Sequence, residues 1–263
     1  MTDPGATTST DTAAVTPGAS ASGPPDSIGA SPTRTRLTAV LMLLGATAQV
    51  PLAVLHPHQA QPNDSQEAFA EYAASHDWVL VHLAQYLGSL LITIGLVSVA
   101  VTLAQRPGIT GQLGRIAAVT AVVSTAVFAV QMAVDGVALK AAVEHWATAP
   151  PARRVAAYDI ADSIRSLEKG LSALFHLNNG ITLSALGLAM ATRQGSRVLG
   201  WFGFPAGLGF LSTAVITAHT GFSPEAGAFA LVPTLLLAAF LIAAAWRMWR
   251  PAAAPHRIES EEE

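Results

Sequence analysis

The sequence predicts an all-α fold: a polytopic membrane helical bundle of six transmembrane helices, with an external helical hairpin extending spans three and four. Three observations predict it. Of 263 residues, 51% are hydrophobic and only 12% charged, and the mean hydropathy is +0.45, too apolar and charge-poor for an ordinary soluble domain. Six apolar runs approach the ~20 residues that a helix needs to cross a bilayer. Arginines and lysines fall mostly beside alternate ends of those runs, as the positive-inside rule requires.

The elements follow in chain order. Residues 1–33 are almost wholly Ala, Thr, Ser, Gly, Pro and Asp, without apolar periodicity, and read as a disordered cytoplasmic tail. Arg34 and Arg36 then precede "LTAVLMLLGATAQVPLAVL". A cleaved signal peptide places its basic residues near the chain start and has a shorter apolar core, so Leu37 to Leu55 is taken as span one. In "NDSQEAFAEYAASHDW", Asp64 or Ser65 caps a short helix, with Glu67 in the capping-box position and Phe69 and Tyr72 on one face. Span two runs from Trp78 to Leu103 and span three from Ile116 to Val137.

"DGVALKAAVEHW" has no breaker beyond Gly136, so span three is expected to continue outward to the break at Pro150 and Pro151. From Val155 onward, Tyr158, Ala161, Ile164, Leu167 and Leu171 recur at helical spacing and lead into span four, Leu171 to Ala191. Span five, Leu199 to Ala218, contains the close-packing pair Gly203 and Gly207. Span six covers Ala228 to Trp246, and residues 251–263 form an acidic cytoplasmic C-terminal tail, which leaves 34–250 as the transmembrane domain. Trp78, Trp201 and Trp246 fall at span ends, where an aromatic belt is expected.

Arg34, Arg36, Arg106, Arg115, Arg193, Arg197, Arg247, Arg250 and Arg257 put both termini in the cytoplasm of a multi-pass cell-membrane protein. The segment between spans three and four departs from the rule. It carries Lys140, Arg153, Arg154, Arg165 and Lys169, set against Glu144, Asp159, Asp162 and Glu168. The Asp159, Asp162 and Arg165 spacing reads as an exposed, ion-paired helix face.

Composition also excludes classes. The absence of cysteine removes disulfides, thiolate metal sites and cysteine nucleophiles. A net charge of -3 with scattered basic residues argues against a nucleic-acid partner. There is no phosphate loop, HExxH, GxSxG or nucleotide fingerprint, so the cofactor is unknown from motifs. The expected partners are the lipid bilayer and an apolar small molecule.

Polar side chains are costly in hydrocarbon, so their depth is informative. Gln49 lies in the outer half of span one. His82, Gln85, Tyr86 and Ser89 form one face of the first turns of span two. Gln131 and Asp135 lie near the outer end of span three, His176, Asn178 and Asn179 in the early turns of span four, and Thr213, Thr217 and His219 near the end of span five. These groups predict a polar cavity in the outer half of the bilayer. Asp135, the one acid placed within a span, is the candidate general acid or base, with His82 and His176 as catalytic partners. Gln85, Tyr86, Gln131, Asn179 and His219 are the candidate substrate-binding residues.

The reaction class this suggests is an intramembrane enzyme acting on an apolar or isoprenoid-like substrate, such as a cyclase. The alternatives are a haem- or metal-binding protein using two of His82, His176 and His219, and a noncatalytic membrane subunit or sensor. A surface metal site at His56-Pro-His58 with His76 fits no closed structural spacing. The competing structural reading treats each amide and hydroxyl as interhelical glue contributing about 0.6–2 kcal/mol, with Asp135 paired to Lys140. Asn178 and Thr182 are read that way.

The stretches "AVDGVALKAAVEHWATAPPARRVAAYDIADSIRSLEKGLSALFHLNNGITLSALGLAM" and "HPHQAQPNDSQEAFAEYAASHDWVLVHLAQYLG" resemble a widespread group of bacterial six-helix integral membrane proteins that carry a domain of unknown function. The resemblance covers about residues 38 to 246 and implies a six-helix membrane fold, with no activity attached to any residue.

Overall fold

The computed structural model describes residues 32–57, 59–61, 63–192 and 196–249. The two predicted tails fall largely outside these. All regular elements among the described residues are helical: α1 (Pro32–Leu55), α2 (Ser65–Ala74), α3 (Trp78–Ala104), α4 (Gly108–Ala133), a π turn (Val134–Leu139), α5 (Lys140–Thr148), α6 (Arg154–Ala191), α7 (Arg197–Thr220) and α8 (Pro224–Trp249).

Six of these helices close a ring. α1 packs on α3, α3 on α4, α4 on α6, α6 on α7, α7 on α8, and α8 returns to α1. Its outward face is apolar, with Val54, Leu80, Val119, Leu231, Leu235 and Ile242 all exposed, whereas His82, Gln131, Asp135 and Arg165 are buried. A surface more apolar than parts of its interior is what a bilayer stabilises and water does not. Five helical segments are long and apolar enough to cross a membrane: Thr35–Leu55, Trp78–Ala104, Gly108–Thr148, Arg197–Thr220 and Pro224–Trp249. These features are those of a membrane protein. The sixth expected span belongs to α6, whose 38 residues include a charged first half and the polar His176, Asn178 and Asn179, so it is less apolar than the other five.

The ring has two dissimilar ends. At the end that carries both α1's start and α8's finish, Arg36 lies over the Trp249 ring at 5.7 Å. The core there is apolar, built around Met42, Leu96, Leu186, Phe210, Phe240 and Leu241. Glycines let the backbones touch: a Cβ on Gly207 would collide with Ser184 of α6, and one on Gly187 with Phe204 of α7. The close-packing role expected for the span-five glycines is thus met by contact with α6.

The other end is capped by α2 and α5. Asp64 accepts from the Glu67 backbone N–H at 3.0 Å, as the sequence predicts, and starts α2. Phe69 and Tyr72 share its buried face and join Trp78, Leu139, Val143 and Ala161 in a second core. Lys140 closes the helix by donating to the carbonyls of Tyr72 (2.8 Å), Ala73 (3.1 Å) and Ser75 (2.7 Å), where the helix dipole favours a cation. It also pairs with Glu144 at 3.1 Å, so the expected Asp135–Lys140 pairing gives way to a helix-capping role. Ser65 donates to Asp162 at 2.6 Å and Asn63 to the Thr220 carbonyl at 3.0 Å, tying this cap to α6 and α7.

Candidate functional site

Beneath α2 lies a cavity of about 450 Å³, walled by the end of α1, the first turns of α3, the π turn and α6. Its α6 wall is the stripe Arg165, Glu168, Ser172, Phe175 and His176, whose spacing keeps one helical face inward. Phe128, Met132 and Phe175 supply apolar wall, and Phe175 stacks on Phe128 at 4.4 Å and 25°.

The π turn carries Asp135, which is 5% exposed. Such turns insert an extra residue into a helix and re-aim a side chain, often at functional sites. Two neighbours from α3 hold it. The Trp78 indole N–H donates to the Asp135 carbonyl at 3.0 Å, and His82 Nε2 lies 2.9 Å from Asp135 Oδ2. Gly136 makes that approach feasible, since a Cβ there would stand 2.6 Å from the His82 Cβ.

His82 is 1% exposed, and its Nδ1 lies 2.6 Å from the Trp78 carbonyl. A carbonyl only accepts, so Nδ1 bears hydrogen and donates to it. The Nε2–Oδ2 contact needs a second hydrogen, because a bare carboxylate and a bare imidazole nitrogen repel. The His82–Asp135 pair therefore holds one proton more than a neutral imidazole beside an ionised carboxylate.

Glu168 extends this array. Its carboxyl lies close enough to the Asp135 carboxyl to interact with it, and the residue is 5% exposed. Burial pushes its carboxyl well above the usual carboxylate range, the Asp135 charge pushes it further, and Arg165 opposes both. Among the described residues Asp135 Oδ1 is enclosed without a hydrogen-bond donor, and Glu168 Oε2 has only the Arg165 guanidinium, at 3.5 Å. A proton on Glu168, donated to Asp135, satisfies this meeting of two carboxyls.

Arg165, only 2% exposed, lies 3.5 Å from Glu168 and between the rings of Tyr72 (5.1 Å) and Phe222 (5.4 Å). The exposed ion-paired face expected around it is corrected here. Asp159 is exposed and Asp162 is held by Ser65, but Arg165 is roofed by α2 and turned into the cavity. Burial pushes the Tyr72 hydroxyl up to about 12, with Arg165 opposing. His56 stands against Trp78 and His82, each at 5.1 Å between ring centres, and burial followed by the His82 charge lowers its affinity for a proton.

Of the residues singled out by sequence, Gln85, Gln131, Asp135 and His176 line this cavity together, and His82 stands behind Asp135, 2.9 Å from its carboxyl. Tyr86, Asn179 and His219 do not: Tyr86 and Asn179 are half-buried away from its wall, and His219 is exposed at the end of α7. Gln49 also lines the cavity and donates to the Gln85 carbonyl at 2.8 Å. Asn178 bonds its own helix at Leu174, while Thr182 makes the interhelical contact, 2.8 Å from Thr120 of α4. Trp78, expected in the lipid belt, is 1% exposed and forms cavity wall. His76 is exposed, and His58 lies outside the described residues.

Sequence reasoning missed Glu168, Arg165 and Tyr72 as cavity groups. Their only signal was the i, i+3 spacing of Arg165 and Glu168, continued by Ser172, Phe175 and His176 along one face. No protein-family model matches the chain, and neither a curated protein nor a solved structure matches it.

Proposed function

We propose that this chain is a six-span bacterial membrane protein of the group it resembles, with both termini cytoplasmic, and that its cavity performs general acid–base chemistry on an apolar substrate. The carrying observation is the buried His82–Asp135 pair with Glu168 beside it, Asp135 and Glu168 facing a cavity with aromatic and aliphatic wall. Groups that share protons in a partly dry pocket are the equipment of acid–base catalysis. Asp135 is the proton-transferring group, His82 fixes its carboxyl, and Glu168 supplies or takes up the proton. Phe128, Phe175 and Met132 offer an isoprenoid-like chain apolar contact, with Gln85, Gln131 and His176 as polar positioning groups. The basic residues of α1, α4, α7 and α8 and of the α3–α4 connection support a cavity on the outer side, which substrate enters from the outer leaflet.

The test compares lipid extracts of cells expressing the wild-type chain and Asp135→Asn at equal membrane abundance, by untargeted mass spectrometry. The proposal expects a set of apolar products present with the wild type and absent with the variant. Identical extracts sink it.

A further inference from the structure

His56 from the end of α1, His82 from α3 and Asp135 from the π turn bring one ligand atom each within 4.8 Å of the other two. We infer that these three side chains form a binding site for a single first-row divalent metal ion of the Zn2+ or Fe2+ type.

Both imidazoles are oriented as metal-ligating histidines are. His82 Nδ1 lies 2.6 Å from the Trp78 carbonyl and His56 Nδ1 2.8 Å from the Pro57 carbonyl. An imidazole whose Nδ1–H is donated to a carbonyl presents the Nε2 lone pair as its ligand atom, and such backbone acceptors fix the tautomer in metal sites. The rings are also packed in place, since Trp78 contacts His56 at 5.1 Å and His82 at 4.5 Å between ring centres.

The distances suit an ion. Bonds of about 2.0–2.2 Å place neighbouring ligands of a tetrahedral metal about 3.3–3.5 Å apart. His82 Nε2 and Asp135 Oδ2, at 2.9 Å, need only open slightly. His56 closes by roughly 1.5 Å at most. Two imidazole nitrogens and one carboxylate oxygen favour Zn2+ or Fe2+ over Ca2+ and Mg2+, which prefer oxygen. Three protein ligands leave a position facing the cavity, which is the pattern of catalytic and not of closed structural sites.

The surrounding charge is compatible. Glu168 adds a carboxyl beside Asp135, and Arg165 is engaged by Glu168, Tyr72 and Phe222. His76, grouped with His56 by sequence proximity, takes no part. The inference goes beyond the acid–base proposal and rests on the same Asp135: an ion would replace the proton shared by His82 Nε2 and Asp135 Oδ2, leaving Glu168 as the proton-carrying carboxyl of the cavity.

The test loads chelator-stripped, detergent-purified full-length protein with Zn2+, removes free ion by gel filtration and measures zinc by elemental analysis. One Zn2+ per chain is expected for the wild type and for His176→Gln, whose ring lines the cavity outside the ligand set. Affinity is expected to fall about tenfold or more in His56→Gln and Asp135→Asn. Wild-type protein without stoichiometric zinc overturns the site irrespective of how the variants fold, as does uptake unchanged in both ligand variants. Co2+ bound to the wild type provides a second readout, with visible ligand-field bands expected and their absence counting against the site.

Discussion

The two ends of the ring are built on opposite principles. At the end where α1 starts and α8 finishes, helices meet through glycine and apolar side chains, and the Gly207–Ser184 contact leaves no room even for a methyl group. At the cavity end, the polar pairs His82–Asp135, Arg165–Glu168 and Lys140–Glu144 lie beneath or beside a cap tied down by hydrogen bonds. In lipid there is little hydrophobic gain from pressing apolar helices together, so close packing holds the first end. Buried charge is weak as glue, because desolvation offsets most of the Coulomb attraction. Its concentration at one end therefore points to use and not to stability.

Substitutions can break this contrast. Gly207→Val is expected to have the largest effect, about 3 kcal/mol or more, because the collision is with the α6 backbone and cannot relax by a side-chain turn. Unfolding of detergent-solubilised protein in denaturant measures it. If the cost is negligible, the first end is not held by close packing. Arg165→Met is expected to cost about 2–3 kcal/mol, since the buried Glu168 carboxyl loses its polar neighbour and the Tyr72 and Phe222 rings lose a cation. Lys140→Met follows at about 2 kcal/mol, concentrated in α2. Hydrogen exchange should show the α2 amides opening while α7 stays protected. Loss of protection spread evenly through the bundle would contradict a local capping role.

Acidity sharpens the contrast further. The folded-state proton affinity of Glu168 is raised above its ordinary value of 4.5. Its contribution to stability is thus complete below pH 4.5 and is lost as pH rises through the folded value, at a slope of at most about 1.4 kcal/mol per pH unit. Asp135 raises that value further, whereas Arg165 and Lys169 limit it. Glu168→Gln should flatten this part of the stability–pH profile, and an unchanged profile would remove Glu168 as its source. Asp64→Ala is the smallest expected change, about 1 kcal/mol for loss of the α2 cap, seen as faster proteolysis between residues 59 and 75.

Much of this was legible in the sequence. Apolar runs located the long helices, because hydrocarbon tolerates few polar groups in a spanning segment, although α4 starts at Gly108 and not at Ile116. Asp64 and Glu67 announced α2, and Gln85, Gln131, Asp135 and His176, grouped by depth in the sequence, line one cavity. Arg165 and Glu168 were not legible as cavity groups. An acid three residues from a base looks the same on a solvated helix and under a roof, and the roof here is a separate helix. The π turn was equally hidden, since nothing but Gly136 beside Asp135 marks it. Asn179 and Tyr86 followed the right periodicity but missed the wall. Phe175 and Phe128 stack one helical turn short of Asn179, and Trp78 and Gln85 rather than Tyr86 form the α3 side.

The central claim is that the cavity holds a proton on Glu168, donated to Asp135. Infrared spectroscopy of the purified protein at neutral pH tests it most directly, through the carbonyl stretch of a protonated carboxylic acid. The account predicts such a band in the wild type, shifted on exchange into D2O and missing from Glu168→Gln. A wild-type spectrum without a protonated carboxyl, or a band that persists unchanged in Glu168→Gln, would contradict it.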